Sequence, residues 1–169
     1  MATATQVARG GVAPKGAITV FHSGDTSPPT TTTGTDTTPS VTETYVSRVY
    51  VSCNALITGI SILNGSAVAG NVTAILYDAD GVPLAKSAST AQSGTAAYQA
   101  IPLSTAYQAS GPGRYYVGLQ FDSTSARFRT HILGVFPAFK KTGEVYGTAA
   151  ALTPVATFTT GVGPIASTY

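Results

Sequence analysis

The chain is 169 residues long, enough for one domain with a substantial core. Only 9% of it is Asp, Glu, Lys or Arg, while 43% is hydrophobic, and the formal net charge is +2. Ordinary soluble domains carry about 25% charged residues, so this surface must be built largely of hydroxyls, alanines and glycines. Such a surface suits a protein that lies against other protein. Nonspecific nucleic-acid binding, which needs many Lys and Arg contacts to phosphate, is excluded. So is a basic genome-packaging arm, because residues 1–40 hold only Arg9 and Lys15 as basic side chains.

Cys53 is the single cysteine, which leaves no internal disulfide and no Cys-based zinc site within one chain. Its setting, Val49 to Cys53, reads as a strand, and the thiol is expected to be a small buried hydrophobe. No apolar run approaches the ~18 residues of a membrane helix, and no membrane partner is expected. Met1 to Gly16 lacks the basic start and apolar stretch of a secretory signal, so the expectation is synthesis in a cytoplasm without export by that route. The Asn64–Gly65–Ser66 and Asn71–Val72–Thr73 triplets are then chance matches to a glycosylation pattern.

Along the chain, residues 1–42 read as an extended Thr-, Pro- and Gly-rich arm. One β-like piece, Ala17–Ile18–Thr19–Val20–Phe21, interrupts it. Residues 22–42 lack the apolar side chains that offset ordering entropy. Pro28, Pro29 and the neighbouring threonines favour extended backbone there. Pro28 and Pro29 are accordingly taken as partner-binding candidates.

From Glu43 the composition changes, and residues 43–169 read as a β-sandwich domain. Tyr45 to Val51 is rich in β-branched and aromatic residues. Leu56, Thr58, Ile60 and Ile62 alternate with Ile57, Gly59, Ser61 and Leu63, and Asn64–Gly65 marks a turn. Val72 to Tyr77 is apolar on both faces, as in an interior strand. Asp78 to Gly81 turns tightly into Val82 to Ala85, with Pro83 best placed on an edge. Tyr98 to Leu103 is a short strand, and Gly111–Pro112–Gly113 breaks the chain before Arg114 to Phe121. There Tyr115, Val117, Leu119 and Phe121 share one face of a half-buried strand, opposite Arg114, Tyr116, Gly118 and Gln120. Later strands are expected near 126–133, 144–148, 154–159 and 162–168. No window carries helical apolar spacing. Short strands at about ten-residue spacing, punctuated by Gly, Pro and Asn, predict an all-β fold: an antiparallel, jelly-roll-like sandwich with an extended N-terminal arm.

Catalytic signatures are sparse. A glycosidase needs two carboxylates facing each other across a sugar, and the close pair Asp78 and Asp80 shares one turn. Asp78–Ala79–Asp80–Gly81 opens like a calcium loop, but its fifth and twelfth positions are Val82 and Ser89, which cannot complete one. There is no Gly-x-Ser-x-Gly elbow, no phosphate-binding Gly-rich loop and no nucleophile motif near His22 or His131. The expectation is a non-enzymatic protein without cofactor or metal.

One constellation stands out. In residues 126–132, strand alternation puts Arg127, Arg129 and His131 on one face, and Ala126, Phe128, Thr130 and Ile132 on the other. These three residues are candidate partner-binding groups, since Arg makes bidentate contacts with carboxylates. The competing reading is a solvated face that keeps an edge from aggregating. The nine tyrosines, in a chain without Trp, serve either as core and interface anchors or as a carbohydrate platform in which Tyr115 and Tyr116 are the test positions.

Three stretches resemble small virion structural proteins of tailed bacteriophages, the head-decoration and related jelly-roll proteins. They are Ile57 to Ile60, Asn71 to Gly81 and Gly113 to Leu119, and the C-terminal Gly163 to Tyr169 is similar as well. The resemblance implies a non-catalytic virion protein on the capsid exterior, present in symmetric copies, with an arm that grips neighbours. Its partners would be further copies of itself, a homotrimer being one arrangement, and a major capsid protein or another virion subunit. It transfers no functional residues. The alternative expectation is a carbohydrate-binding β-sandwich module of the tail-fibre or receptor-binding type.

Overall fold

The structure, a computed structural model, describes residues 21–23, 34–131, 138–152 and 162–169. Its strands in chain order are β1 (Phe21–His22), β2 (Thr35–Thr37), β3 (Glu43–Val51), β4 (Ala55–Leu63), β5 (Asn71–Tyr77) and β6 (Pro83–Lys86). They continue as β7 (Thr90–Ala91), β8 (Tyr98–Ala109), β9 (Gly113–Phe121), β10 (Phe128–Thr130), β11 (Ala138–Thr142) and β12 (Ala166–Thr168). No helix occurs among the described residues, and every strand pairing is antiparallel. The fold is the expected antiparallel β-sandwich.

A four-stranded sheet in the order β1-β12-β4-β8 packs on a six-stranded one in the order β11-β3-β9-β5-β6, with β7 also on β5. The ribbon β10-β2 closes one side. Isolated bridges Ser23–Val49 and Ser87–Leu103 tie the two sheets together. The main core lies between the layers and includes Val49, Ile57, Ile60, Ile62, Val72, Leu76, Ile101, Val117, Leu119 and Cys53. Phe128 stacks on Phe121 with ring centroids 4.9 Å apart, and Tyr45 tilts against Phe128 at 4.9 Å. Each such ring stabilises the fold by about 1.5–3 kcal/mol.

β9 departs from the half-buried expectation. Tyr115, Val117, Leu119 and Phe121 do face the main core, but Tyr116 and Gln120 on the other face are also buried. A second cluster covers that face, built of Val46, Ile75, Tyr77, Tyr116, Phe139 and Leu152. The segment after β11 lies over it, pinned where Leu152 N–H donates to Gly81 O at 2.8 Å and Gly147 N–H to Gln120 Oε1 at 2.9 Å. Residues 144–148, expected as a strand, belong to this cover, and the strand is β11 instead. The strand expected at 154–159 lies outside the described residues.

β4 also breaks simple alternation. A register shift between Ile57 and Gly59 reverses the faces, so Ile57 points inward before it and Ile60 and Ile62 after it. A bulge of this kind adds a residue to one strand and inverts its phase.

The boundary expected at residue 42 does not divide arm from sandwich in the described residues. Phe21 and His22 pair with Thr168 and Ser167, and Thr35 to Thr37 pair with Phe128 to Thr130. Phe21 joins the main core, while the rest of these pieces are held mainly by backbone pairing and polar side chains. Residues 1–20 and 24–33, the remainder of the expected arm, lie outside the described residues.

Candidate functional site

The alternation expected around β10 is present. Ala126, Phe128 and Thr130 are fully buried, whereas Arg127, Arg129 and His131 are half-buried. The three do not form a free basic face, however. Arg129 Nε lies 3.8 Å from Asp36 Oδ1, and its Nη1 reaches Gly34 O at 3.4 Å. Arg127 Nη1 donates to Ala126 O at 3.1 Å. Asp36 is fixed by Ser66, whose N–H donates to Oδ1 at 2.9 Å and whose hydroxyl donates to Oδ2. Burial opposes ionisation of Asp36, but the Ser66 bonds and then the charges of Arg129 and Arg127 outweigh it and hold the carboxyl below its usual range. β2 therefore brings an acid, 91 residues upstream of Arg127, against the arginines that sequence spacing left exposed.

His131 differs again. Its Nε2 is 2.7 Å from Ser23 Oγ, and burial pushes its pKa down to about 4. At neutral pH it adds no charge to the face. The Ser23–His131 contact has the reach of a nucleophile–base pair, but Ser23 is only 1% exposed. Its Oγ also donates to Pro164 O at 3.1 Å and accepts from Ala166 N–H at 3.0 Å. That geometry pins β1 to the C-terminal strand and gives a substrate no approach. Pro28 and Pro29 lie outside the described residues.

The tyrosine platform is not available at its test positions. Tyr115 is 7% exposed in the main core, and Tyr116 is 5% exposed in the second cluster. Strand β9 runs through the middle of the larger sheet, so both rings are covered. The Asp78–Gly81 turn behaves as expected: Asp78 Oδ1 accepts from Asp80 N–H at 2.9 Å and from Val82 N–H at 2.8 Å. Among the described residues no cluster of three metal-ligating side chains occurs.

The feature that sequence spacing missed is where charge is absent. Strands β1, β4, β8 and β12 contain no Asp, Glu, Lys or Arg, so one whole sheet is free of them. Its outer surface presents Leu56, Thr58, Ala100, Pro102, Ser104 and Gln108, all exposed. Leu56 is 57% exposed. The Tyr169 ring lies over Gly59 on the same sheet, and Thr58 and Gly59 N–H donate to Tyr169 O at 2.7 and 3.1 Å.

The charged groups sit elsewhere and are mostly engaged. Lys140 meets Glu43 at 2.7 Å, Lys141 meets Glu144 at 2.7 Å, and Asp122 accepts both N–H and Nδ2 of Asn71. Counting charges strand by strand finds the uncharged strands, but only the sheet order places them side by side.

Comparison with protein-family models, curated proteins and solved structures gave no match. An uncharged sheet face offers methyls, hydroxyls and an amide to a partner, at low desolvation cost and without like-charge repulsion. Interface centres are depleted of charged residues in the same way.

Proposed function

We propose that the chain is a non-enzymatic structural subunit of a bacteriophage particle, decorating or stabilising its exterior by lying against other protein. The observation that carries this reading is the four-stranded sheet without Asp, Glu, Lys or Arg and its exposed outer face. Soluble monomers normally keep charge interspersed over the whole surface. Among the described residues, charge is confined to the larger sheet, the β2–β10 ribbon and the connecting segments.

In this reading the uncharged face contacts a capsid subunit or another copy of the chain. Residues 1–20, whose charged side chains are Arg9 and Lys15, add a second contact to neighbours in this reading. Each contact is weak, and many symmetric copies supply avidity. The arginine pair beside Asp36 stabilises the β2–β10 ribbon instead of choosing the partner.

The test places charge on the face without disturbing the core. Ala100 and Ser104 are exposed and project outward from β8. The Ala100→Lys, Ser104→Lys double variant is expected to fold normally and to lose attachment to particles in co-sedimentation. The Arg127→Ala variant should attach as the wild type does. Wild-type attachment by the double-lysine variant would sink the proposal.

A further inference from the structure

At one end of the sandwich the β5–β6 turn faces the β8–β9 hairpin across a groove of about 280 Å³. Its lining includes Asp78, Asp80, Leu84, Tyr107, Arg114 and Tyr115. These residues come from parts of the sequence far apart, and the β5–β9 pairing of Tyr77 with Tyr116 brings them together.

The groove gathers binding groups that the fold leaves unused. Asp80 and Arg114 are exposed, and neither makes a side-chain hydrogen bond or ion pair with a described residue. Asp78 employs Oδ1 in its turn and leaves Oδ2 unbonded. Elsewhere Asp36, Glu43, Asp122 and Glu144 are all engaged. In a chain with 9% charged residues, this concentration of unengaged charge at one cleft calls for a ligand.

The floor is rigid and partly aromatic. Tyr115 OH donates to Ser110 O at 3.0 Å and accepts from Ser110 N–H at 3.0 Å. Tyr107 meets Tyr115 edge to face with centroids 6.3 Å apart and stays half-buried beside Leu84.

We infer that this groove binds a neutral sugar ring. Two carboxylates repel an anionic ligand, and the guanidinium offsets part of their charge and adds donors beside their acceptors. A neutral pyranose uses both: its hydroxyls donate to the Asp78 and Asp80 carboxylates and accept from Arg114. Its C–H face packs on Tyr107 and Leu84. The volume is just under the roughly 300–1,000 Å³ of clefts for drug-sized ligands, which matches a single sugar unit. The site is separate from the uncharged face at Ala100 and Ser104, so it stands or falls independently of the assembly reading.

The test is an NMR titration of the full chain with free hexoses, 6-deoxyhexoses and N-acetylhexosamines at millimolar concentration. At least one of these neutral sugars is expected to shift the amide signals of Asp80, Tyr107 and Arg114. Loss of a charge-assisted hydrogen bond should weaken that sugar at least about tenfold in Asp80→Asn and in Arg114→Gln. Both side chains are exposed, so the fold is retained. Lys86→Gln, outside the groove, should bind as the wild type. Absence of groove shifts with every sugar, or wild-type affinity in Asp80→Asn and Arg114→Gln, overturns the inference.

Discussion

Replacing Tyr77 by Phe should make this protein more stable. Tyr77 is fully buried in the second cluster, and its ring crosses Gly118 so closely that a Cβ there would sit 2.7 Å from Cε2. Its hydroxyl is buried without a hydrogen-bond partner among the described residues. Burial first, and then the charge of Glu144, push the phenol pKa well above its usual range. An unsatisfied buried polar group costs roughly 1–3 kcal/mol. Deleting the oxygen opens a void of about 10–15 Å³, which costs only about 0.3 kcal/mol at ~24 cal/mol per Å³. The net gain is about 0.7–2.7 kcal/mol, and each kcal/mol raises Tm by about 2–4 °C in a domain of this size. Urea denaturation should show a higher midpoint at unchanged slope. Tyr45→Phe is the matched control with the opposite sign. Tyr45 OH donates to Glu43 Oε2 and accepts from Ser40 N–H at 2.9 Å, so its loss should cost about 1–2 kcal/mol. A loss of 1 kcal/mol or more in Tyr77→Phe would refute the reasoning and show that the hydroxyl is bonded, for instance to a buried water.

Three other outcomes follow from the same geometry. Asn64→Ala should destabilise by about 2–4 kcal/mol in the same assay, because the buried Asn64 amide bonds Ser93 O, Gln99 Oε1 and Gln92 Nε2 and their partners would be stranded. Gly111→Ala should cost about 3 kcal/mol or more, since its Cβ would fall 2.3–2.6 Å from the Cys53 backbone, which cannot swing aside as a side chain does. Acid should weaken the fold through His131. Its folded pKa of about 4 lies below the ordinary value near 6.5, so the unfolded chain binds more protons, and stability is lost as pH falls from about 6.5 to 4. The ring is partly exposed, so the loss is about 1–2 kcal/mol; it should shrink in His131→Gln when denaturation is followed across that window. His22, also lowered by burial, acts in the same direction.

The sandwich was readable where one face alone carried the signal. Alternation put Tyr115, Val117, Leu119 and Phe121 inward, and placed Phe128 opposite Arg127 and Arg129, as the structure has them. Cys53 is buried as expected, but it lies in the bend between β3 and β4 and not in a strand. What failed depends on contacts distant in sequence. The bulge after Ile57 inverts β4, and the lone Gly59 beside it is its one residue-type mark. The cover over Tyr116 and Gln120 comes from residues 144–152, where Val145–Tyr146 reads as a strand but packs as a folded-over segment. Asp36 meets Arg129 and offsets part of the arginine face through a three-residue strand in a Thr-rich stretch, too short and too polar to signal itself. Low charge was visible from composition, but its confinement to one sheet requires knowing that β4, β8 and β12 are neighbours.

The central claim is that this protein works by lying against other subunits of a particle. Electron microscopy of purified particles labelled with an antibody to the chain tests it most directly. The account predicts label at regular, repeated positions on the particle exterior, lost when Ala100 and Ser104 are replaced by lysine. Unlabelled particles, with the protein found only in the soluble fraction of the lysate, would contradict it.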